Sequence, residues 1–257
     1  MAEALARGFL AAKLTTPAEL CAHDVADERR KFWRESSLGA VPGDNCSVCR
    51  QSDVLFVAVK PQSVSSLLGE VATEITEKHL VVSIAAGVRI STIETALKSK
   101  RRIVRVMPNT PCLVGAAASG IAAGGAANAD DLQTVVKLFE SVGVARVVPE
   151  ELLDAVTGLS GSGPAFVFAM IEAMSDGGVR AGLPRETATA LAAQTVMGAG
   201  KMVLETGEHP AMLKDAVASP AGTTIAGLSV LERSGVRGAF IDAVFAAAQR
   251  SKELGSI

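Results

Sequence analysis

Apolar and polar positions change their period along this chain, and the change falls near residue 150. From about residue 52 onward, short apolar or β-branched runs alternate with stretches whose apolar positions recur every three or four residues. That alternation predicts β-strands joined by crossover helices. The run 53–59, DVLFVAV, is apolar nearly throughout, as a strand buried on both faces should be, and Pro61 stops it. A helix with Val64, Leu67, Leu68 and Val71 on one face follows, then a buried strand over 79–84, a short helix over 91–99 and a strand over 102–106. The Ala- and Gly-rich stretch 113–129 predicts one more strand, followed by a helix over 130–141 and an edge strand over 144–148. Upstream, MAEALARGFL reads as an amphipathic helix, 19–23 as a weak strand and 26–33 as a second helix.

After residue 150 the strand pattern stops. Residues 152–181, interrupted by GLSGSGP at 158–164, then 184–205 and 239–254, predict helices rich in Ala, Leu, Met and Val. The expected fold class is α/β: a Rossmann-like, doubly wound parallel sheet over residues 1–149 and an all-helical domain over 150–257. Small side chains at helix-packing spacing let helices approach closely, and such a surface is commonly completed by a second subunit, so a homo-oligomer is expected.

Composition narrows the partners. Of 257 residues, 25 are Lys or Arg and 27 Asp or Glu, with no Tyr and one Trp. With no basic stripe and no aromatic platform, nucleic acid is not an expected partner. Apolar runs are interrupted short of the roughly 18 residues that a membrane span needs, so no membrane segment is expected. Four cysteines, at 21, 46, 49 and 112, suit a reducing compartment, and a lone CxxC at 46–49 without a second pair reads as incidental thiols with no metal. The N-terminal segment lacks the marks of a signal peptide, and a cytoplasmic enzyme is the expectation.

Three predicted strands end in small or rigid residues: Ala58-Val59-Lys60-Pro61, Ala85-Ala86-Gly87 and Met107-Pro108-Asn109-Thr110-Pro111. One such end alone reads as a tight turn; three along one sheet edge read as a nucleotide cleft. Lys60 could meet a phosphate, a ribose hydroxyl or a carboxylate there, or stand solvated. Asp24, after the weak strand, could bond a ribose diol, while Arg29 and Arg30 could receive a 2′-phosphate. No GxGxxG turn occurs before Lys60; its expected place lies just before Met1, so the chain as given reads as N-terminally short or as lacking that loop. Between two predicted helices, LKDAVASPAGTTI at 213–225 offers free N–H groups at the start of a helix near Thr223. Carboxylate binding and simple capping by Ser or Thr both fit that spacing.

Taken together, SDVLFVAVKPQ at 52–62, AAG at 85–87, RVMPNTP at 105–111, DAVTGLSGSGPAF at 154–166, DGGVRAGLPR at 176–185 and LKDAVASPAGTTIAGLSVLE at 213–232 resemble the pyrroline-5-carboxylate reductase family, from Met1 to Leu254. The resemblance implies a nucleotide-binding domain followed by a helical dimerisation domain, with the active site where two subunits interlock, in a homodimer or a ring of dimers. It implies NADPH, or NADH, as cofactor, touched by Asn45, Ala58, Val59, Lys60, Pro61, Ala86 and Gly87, with Asp24 near the ribose. Ser219, Gly222, Thr223 and Thr224 then hold the carboxylate and ring nitrogen of the substrate, and Glu150 aligns with a substrate-proximal position. The implied reaction passes a hydride from the reduced nicotinamide to C5 of a cyclic imine, 1-pyrroline-5-carboxylate, giving L-proline. Thr224 is the candidate catalytic hydrogen-bonding group at the imine nitrogen.

The chain departs from that family at Ala221, where a glycine is usual; the change is harmless unless the position needs a positive φ. Alternatives are a catalytically silent, oligomerising relative and a β-hydroxyacid dehydrogenase. The latter would need a lysine where Val167 stands.

Overall fold

The computed structural model describes residues 1–255. These form two compact units, the first comprising residues 1–162 together with residues 245–255, the second Gly163–Val244.

The first unit is built on a sheet of β1 (Val54–Val57), β2 (Leu80–Ser83), β3 (Arg102–Met107), β4 (Ala117–Gly125) and β5 (Gly143–Val147), in that spatial order. Alternation along the strands divides the core. Leu80 and Val82 of β2, with Val104 and Val106 of β3, face α1 (Ala2–Ala11) and α6 (Ala129–Glu140). Phe9, Phe56 and Phe139 meet there with ring centroids 5.7–6.5 Å apart. Leu55, Val57, Val81 and Ile103 point the other way, onto α3 (Asn45–Arg50), α4 (Val64–Val71) and α5 (Ile90–Leu97). Helices on both faces explain why β1 is apolar at every position and β2 at all but its last, the buried Ser83.

Two expectations are corrected here. β4 runs antiparallel to β3, so the sheet is parallel in its β1–β2–β3 half and reversed beyond. The weak strand at 19–23 reduces to an isolated bridge between Cys21 and Ala40. Pro17 and a capping box between Thr16 and Glu19 instead wind a short 3-10 turn ahead of it. From there the chain passes into α2 (Asp27–Glu35).

A 3-10 turn over Glu150–Leu152 leads through α7 (Leu153–Val156) into one turn of π-helix over Thr157–Gly161. The second unit then consists of α8 (Gly163–Arg180), α9 (Arg185–Thr206), α10 (Pro210–Ala216), α11 (Thr223–Arg233) and the first part of α12 (Val236–Leu254). Within 163–244 only Ser175, Ala188 and Ala192 are buried, while Phe168, Met197, Met202, Leu204 and Ile241 are at least half exposed. The helical run Glu150–Arg180 is, by length and composition, apolar enough to cross a membrane, which departs from the sequence expectation.

Candidate active site

Because β1, β2 and β3 are parallel neighbours, their carboxyl ends lie side by side on one edge of the sheet. This edge gathers Ala58, Val59, Lys60 and Pro61 after β1, Ala85, Ala86 and Gly87 after β2, and Pro108 and Asn109 after β3. Val59, Lys60 and Ala86 are exposed, and Pro61 opens a 3-10 turn that carries the chain into α4. Gly87 has φ +76°, a conformation that an L side chain resists. Its bare backbone packs against Gly255, whose nitrogen would lie 3.6 Å from a Cβ at Gly87. Asn109 is buried; its Nδ2 donates to the Ser160 carbonyl at 3.0 Å and its Oδ1 accepts from the Ala118 N–H at 2.9 Å. The sheet edge is thereby fastened to the π-turn.

Asn45 and Asp24 are engaged locally. Asn45 opens α3 and donates its side-chain amide to Glu70 of α4 at 3.2 Å. The Asp24 carboxylate accepts the Ala26 N–H at 2.9 Å, just ahead of α2. Arg30 binds the Asp24 carbonyl and the Asp27 carboxylate, and Arg29 pairs with Glu3 at 3.2 Å while lying over the Phe32 ring at 4.7 Å. Both arginines proposed for a 2′-phosphate already have partners within the first unit. Cys49 is buried and its thiol is pushed up to about 11, and burial also raises Cys112; Cys46 bonds the Glu70 carbonyl. Among the described residues no cluster of His, Cys, Asp and Glu is arranged to hold a metal.

The second set, Ser219, Gly222, Thr223 and Thr224, lies on one turn in the second unit, between α10 and α11. Its spacing left capping and carboxylate binding open. In the structure Gly222 is the N-cap of α11, and no side chain caps that end. The first amides of an 11-residue helix therefore face outward with the positive end of its dipole. The Gly222 N–H donates to the Ser219 carbonyl at 3.1 Å, closing a turn with Pro220 and Ala221 at its centre. A Cβ at Gly222 would lie 2.3 Å from Ser219 Oγ, so the close approach of these two residues requires glycine. Ala221 has φ +58°: the glycine usual in the family stands where the backbone is left-handed, and this chain holds that conformation with alanine.

Glu150 makes contacts that sequence reasoning missed. Its Oε1 accepts the Ile90 N–H at 2.7 Å and pairs with Arg105 Nη1 at 3.1 Å. Both partners belong to the first unit, and no spacing pattern links positions 90, 105 and 150.

An α/β sheet with small residues along its parallel edge, followed by helices with a bare amide turn, defines a Rossmann-like protein with an appended helical unit. Comparison with known proteins gives the family. Residues 150–254 match the model for pyrroline-5-carboxylate reductase dimerisation, and residues 1–87 the model for NADP oxidoreductase, coenzyme F420-dependent. The chain is 53% identical over 255 residues to a pyrroline-5-carboxylate reductase of Methanosarcina acetivorans, covering 99% of this chain and 94% of the relative. It is 45% identical to that of Arabidopsis thaliana, covering 99% and 92%. The solved structure of a pyrroline-5-carboxylate reductase from Coxiella burnetii superposes with a TM-score of 0.92 at 36% identity, covering 98% and 94% of the two chains. A Plasmodium falciparum pyrroline carboxylate reductase with NADP bound gives 0.87 at 32%, with the same coverage. The chain belongs to the pyrroline-5-carboxylate reductase family.

Proposed function

We propose that this chain reduces 1-pyrroline-5-carboxylate to L-proline with NADPH or NADH; its relatives are named pyrroline-5-carboxylate reductases. The observation that carries the reading is the uncapped start of α11 beside Thr224, a ready anion site within the 213–232 motif. Its amides hold the substrate carboxylate, and Ser219 and Gly222 shape the turn that presents them. The Thr224 hydroxyl meets the ring nitrogen, which must carry a proton for the imine carbon to accept hydride.

The first unit fits a dinucleotide. Ala58, Ala86 and Gly87 leave backbone open to a flat ligand, Lys60 brings a cation to the same edge, and α1 begins at Ala2 with no side-chain cap. When bound, the reduced nicotinamide supplies the hydride. Asn45, Val59 and Pro61 complete the proposed cofactor contacts, and Asp24 faces the ribose. The protein's part is to hold two ligands in register, and positioning of this kind accounts for a large share of catalysis.

The chain acts as a homodimer or a ring of dimers. Supporting this, the helices between Gly163 and Val244 bury almost none of their apolar side chains, a surface far too apolar for a monomer in water. The same exposure accounts for the apolar run Glu150–Arg180 without a bilayer. The proposed functional division is residues 1–149 for the cofactor and 150–257 for dimerisation and substrate. The four free cysteines suit a reducing compartment, the cytoplasm.

Purified protein should consume NADPH or NADH, followed at 340 nm, only when the imine is added. Light scattering should give at least twice the 26.3 kDa of one chain. Absence of imine-dependent oxidation with both nucleotides would refute the catalytic reading.

A further inference from the structure

We propose that Glu150 is a positioning residue for the cofactor and makes no contact with the imine: it caps α5 from sixty residues away and so fixes the Ala86–Gly87 loop. The inference rests on the reading of Ala86 and Gly87 as cofactor contacts. Helix α5 has Arg89 as its N-cap and no local side chain satisfying its first amides. Its first N–H, at Ile90, is taken by Glu150 Oε1 at 2.7 Å, so a carboxylate sits at the positive end of the helix. Only Val88 and Arg89 separate Ile90 from Gly87.

Both ends of this contact are rigid. Ile90 is buried and wedged over Gly124 of β4, where an added Cβ would lie 2.5 Å from Ile90 Cδ1. Glu150 is held by Arg105, whose side chain is 5% exposed on β3 against 26% for Glu150. Downstream, Leu153 and Val156 press onto Gly120 of β4 and fix the segment that carries Glu150. One carboxylate oxygen thus joins the central strand β3, the start of α5 and the chain leaving β5. Without it the Ile90 amide loses its partner and the Ala86–Gly87 loop gains freedom, which bound cofactor must then suppress.

The test separates capping from charge. Glu150→Gln keeps an acceptor for Ile90, whereas the pair Arg105→Met with Glu150→Leu removes both charges together and leaves Ile90 without an acceptor. NADPH affinity is measured by titrating nucleotide fluorescence without turnover, and protection of the Ile90 amide by hydrogen exchange. The double variant should bind NADPH about 10-fold more weakly and lose Ile90 protection, with an imine KM at saturating NADPH within about twofold of wild type. Glu150→Gln should stay within about twofold of wild type in NADPH affinity, and Arg105→Met alone, which keeps the cap, should do the same. Wild-type NADPH affinity and Ile90 protection in the double variant would overturn the proposal. So would a raised imine KM with unchanged NADPH affinity, or a loss in Arg105→Met as large as in the double variant. Wild-type protein that fails to bind NADPH would remove the functional reading itself, and this inference with it; wild type that turns over while the variants bind normally would remove the inference alone.

Discussion

Ala221 is strained, and Ala221→Gly should relieve it. The turn Ser219-Pro220-Ala221-Gly222 is closed by the Gly222 N–H on the Ser219 carbonyl at 3.1 Å, with Pro at its second position and φ +58° at its third. A type II turn makes that demand, and glycine meets it without penalty. For an alanine the left-handed conformation costs roughly 1–2 kcal/mol through the approach of Cβ to the following backbone. Glycine has more freedom in the unfolded chain, which takes back about 0.5–1 kcal/mol. The expected net gain is roughly 0.5–1 kcal/mol, or about 1–4 °C in Tm for a chain of this size. Thermal unfolding followed by circular dichroism reads the global change, and hydrogen exchange at Gly222 and Thr223 reads the turn itself. Ala221→Val, which adds β-branching at the same φ, should shift both in the opposite direction. A Tm that falls on Ala221→Gly, with faster exchange at Gly222, would show that the alanine methyl makes a packing contact outweighing its strain, and the argument would be wrong.

Three further outcomes are expected. Thr224→Val preserves shape on an exposed first turn, so the fold should survive while turnover on the imine drops roughly 10- to 1000-fold; unchanged turnover would remove Thr224 from the mechanism. Asp24→Ser can still accept the Ala26 N–H, so the loop should hold while the ratio of kcat/KM values shifts from NADH toward NADPH; a constant ratio would mean that Asp24 does not face the ribose. The Cys49 thiol stays protonated until about pH 11 because burial raises it, and Cys112 is shielded in the same way, so in native protein near pH 8 only Cys21 and Cys46 should react with a maleimide. Rapid labelling of all four would contradict that burial.

The strands were legible where burial on both faces forced runs of apolar residues, as in Val54–Val57 throughout and at Leu80, Val81 and Val82 of the next strand. Strand direction was not read correctly at Ala117–Gly125, whose Ala and Gly side chains carry no pattern. A signal was nonetheless present, since the link from Met107 to Ala117 holds only a short 3-10 turn, Thr110–Val114, and a parallel crossover needs about a dozen residues or more. The failed strand at 19–23 also carried its warning, in Pro17 and the Thr16–Glu19 capping box. Within the site, the turn at 219–224 was readable because its residues are consecutive, and the need for a positive φ at Ala221 could be posed from sequence and answered from the backbone. Glu150 was not readable as a cap, because its partners stand 60 and 45 positions away and meet it only through the β3–β4 reversal and the path of the chain beyond β5.

The helical unit shows the opposite case, in which an Ala-, Leu- and Met-rich composition matches side chains that one copy leaves exposed. A helix on the surface of a self-sufficient domain carries one apolar stripe and one polar face. In α9 the buried residues are only Ala188 and Ala192, yet Leu191, Met197, Met202 and Leu204 are exposed. Apolar side chains therefore extend around the helix, well beyond what one neighbour covers. Ala and Gly between them allow backbones to approach closely on more than one side. Such a sequence specifies a helix with several neighbours, and within one copy α8 is the neighbour that packs most extensively along it. In the proposed dimer, folding of this unit and assembly with a second copy are the same event, so any variant that weakens that contact should lower Tm in a concentration-dependent way. A Tm independent of protein concentration over about 100-fold dilution, with a monomer at the lowest concentration, would show that these helices are stable alone.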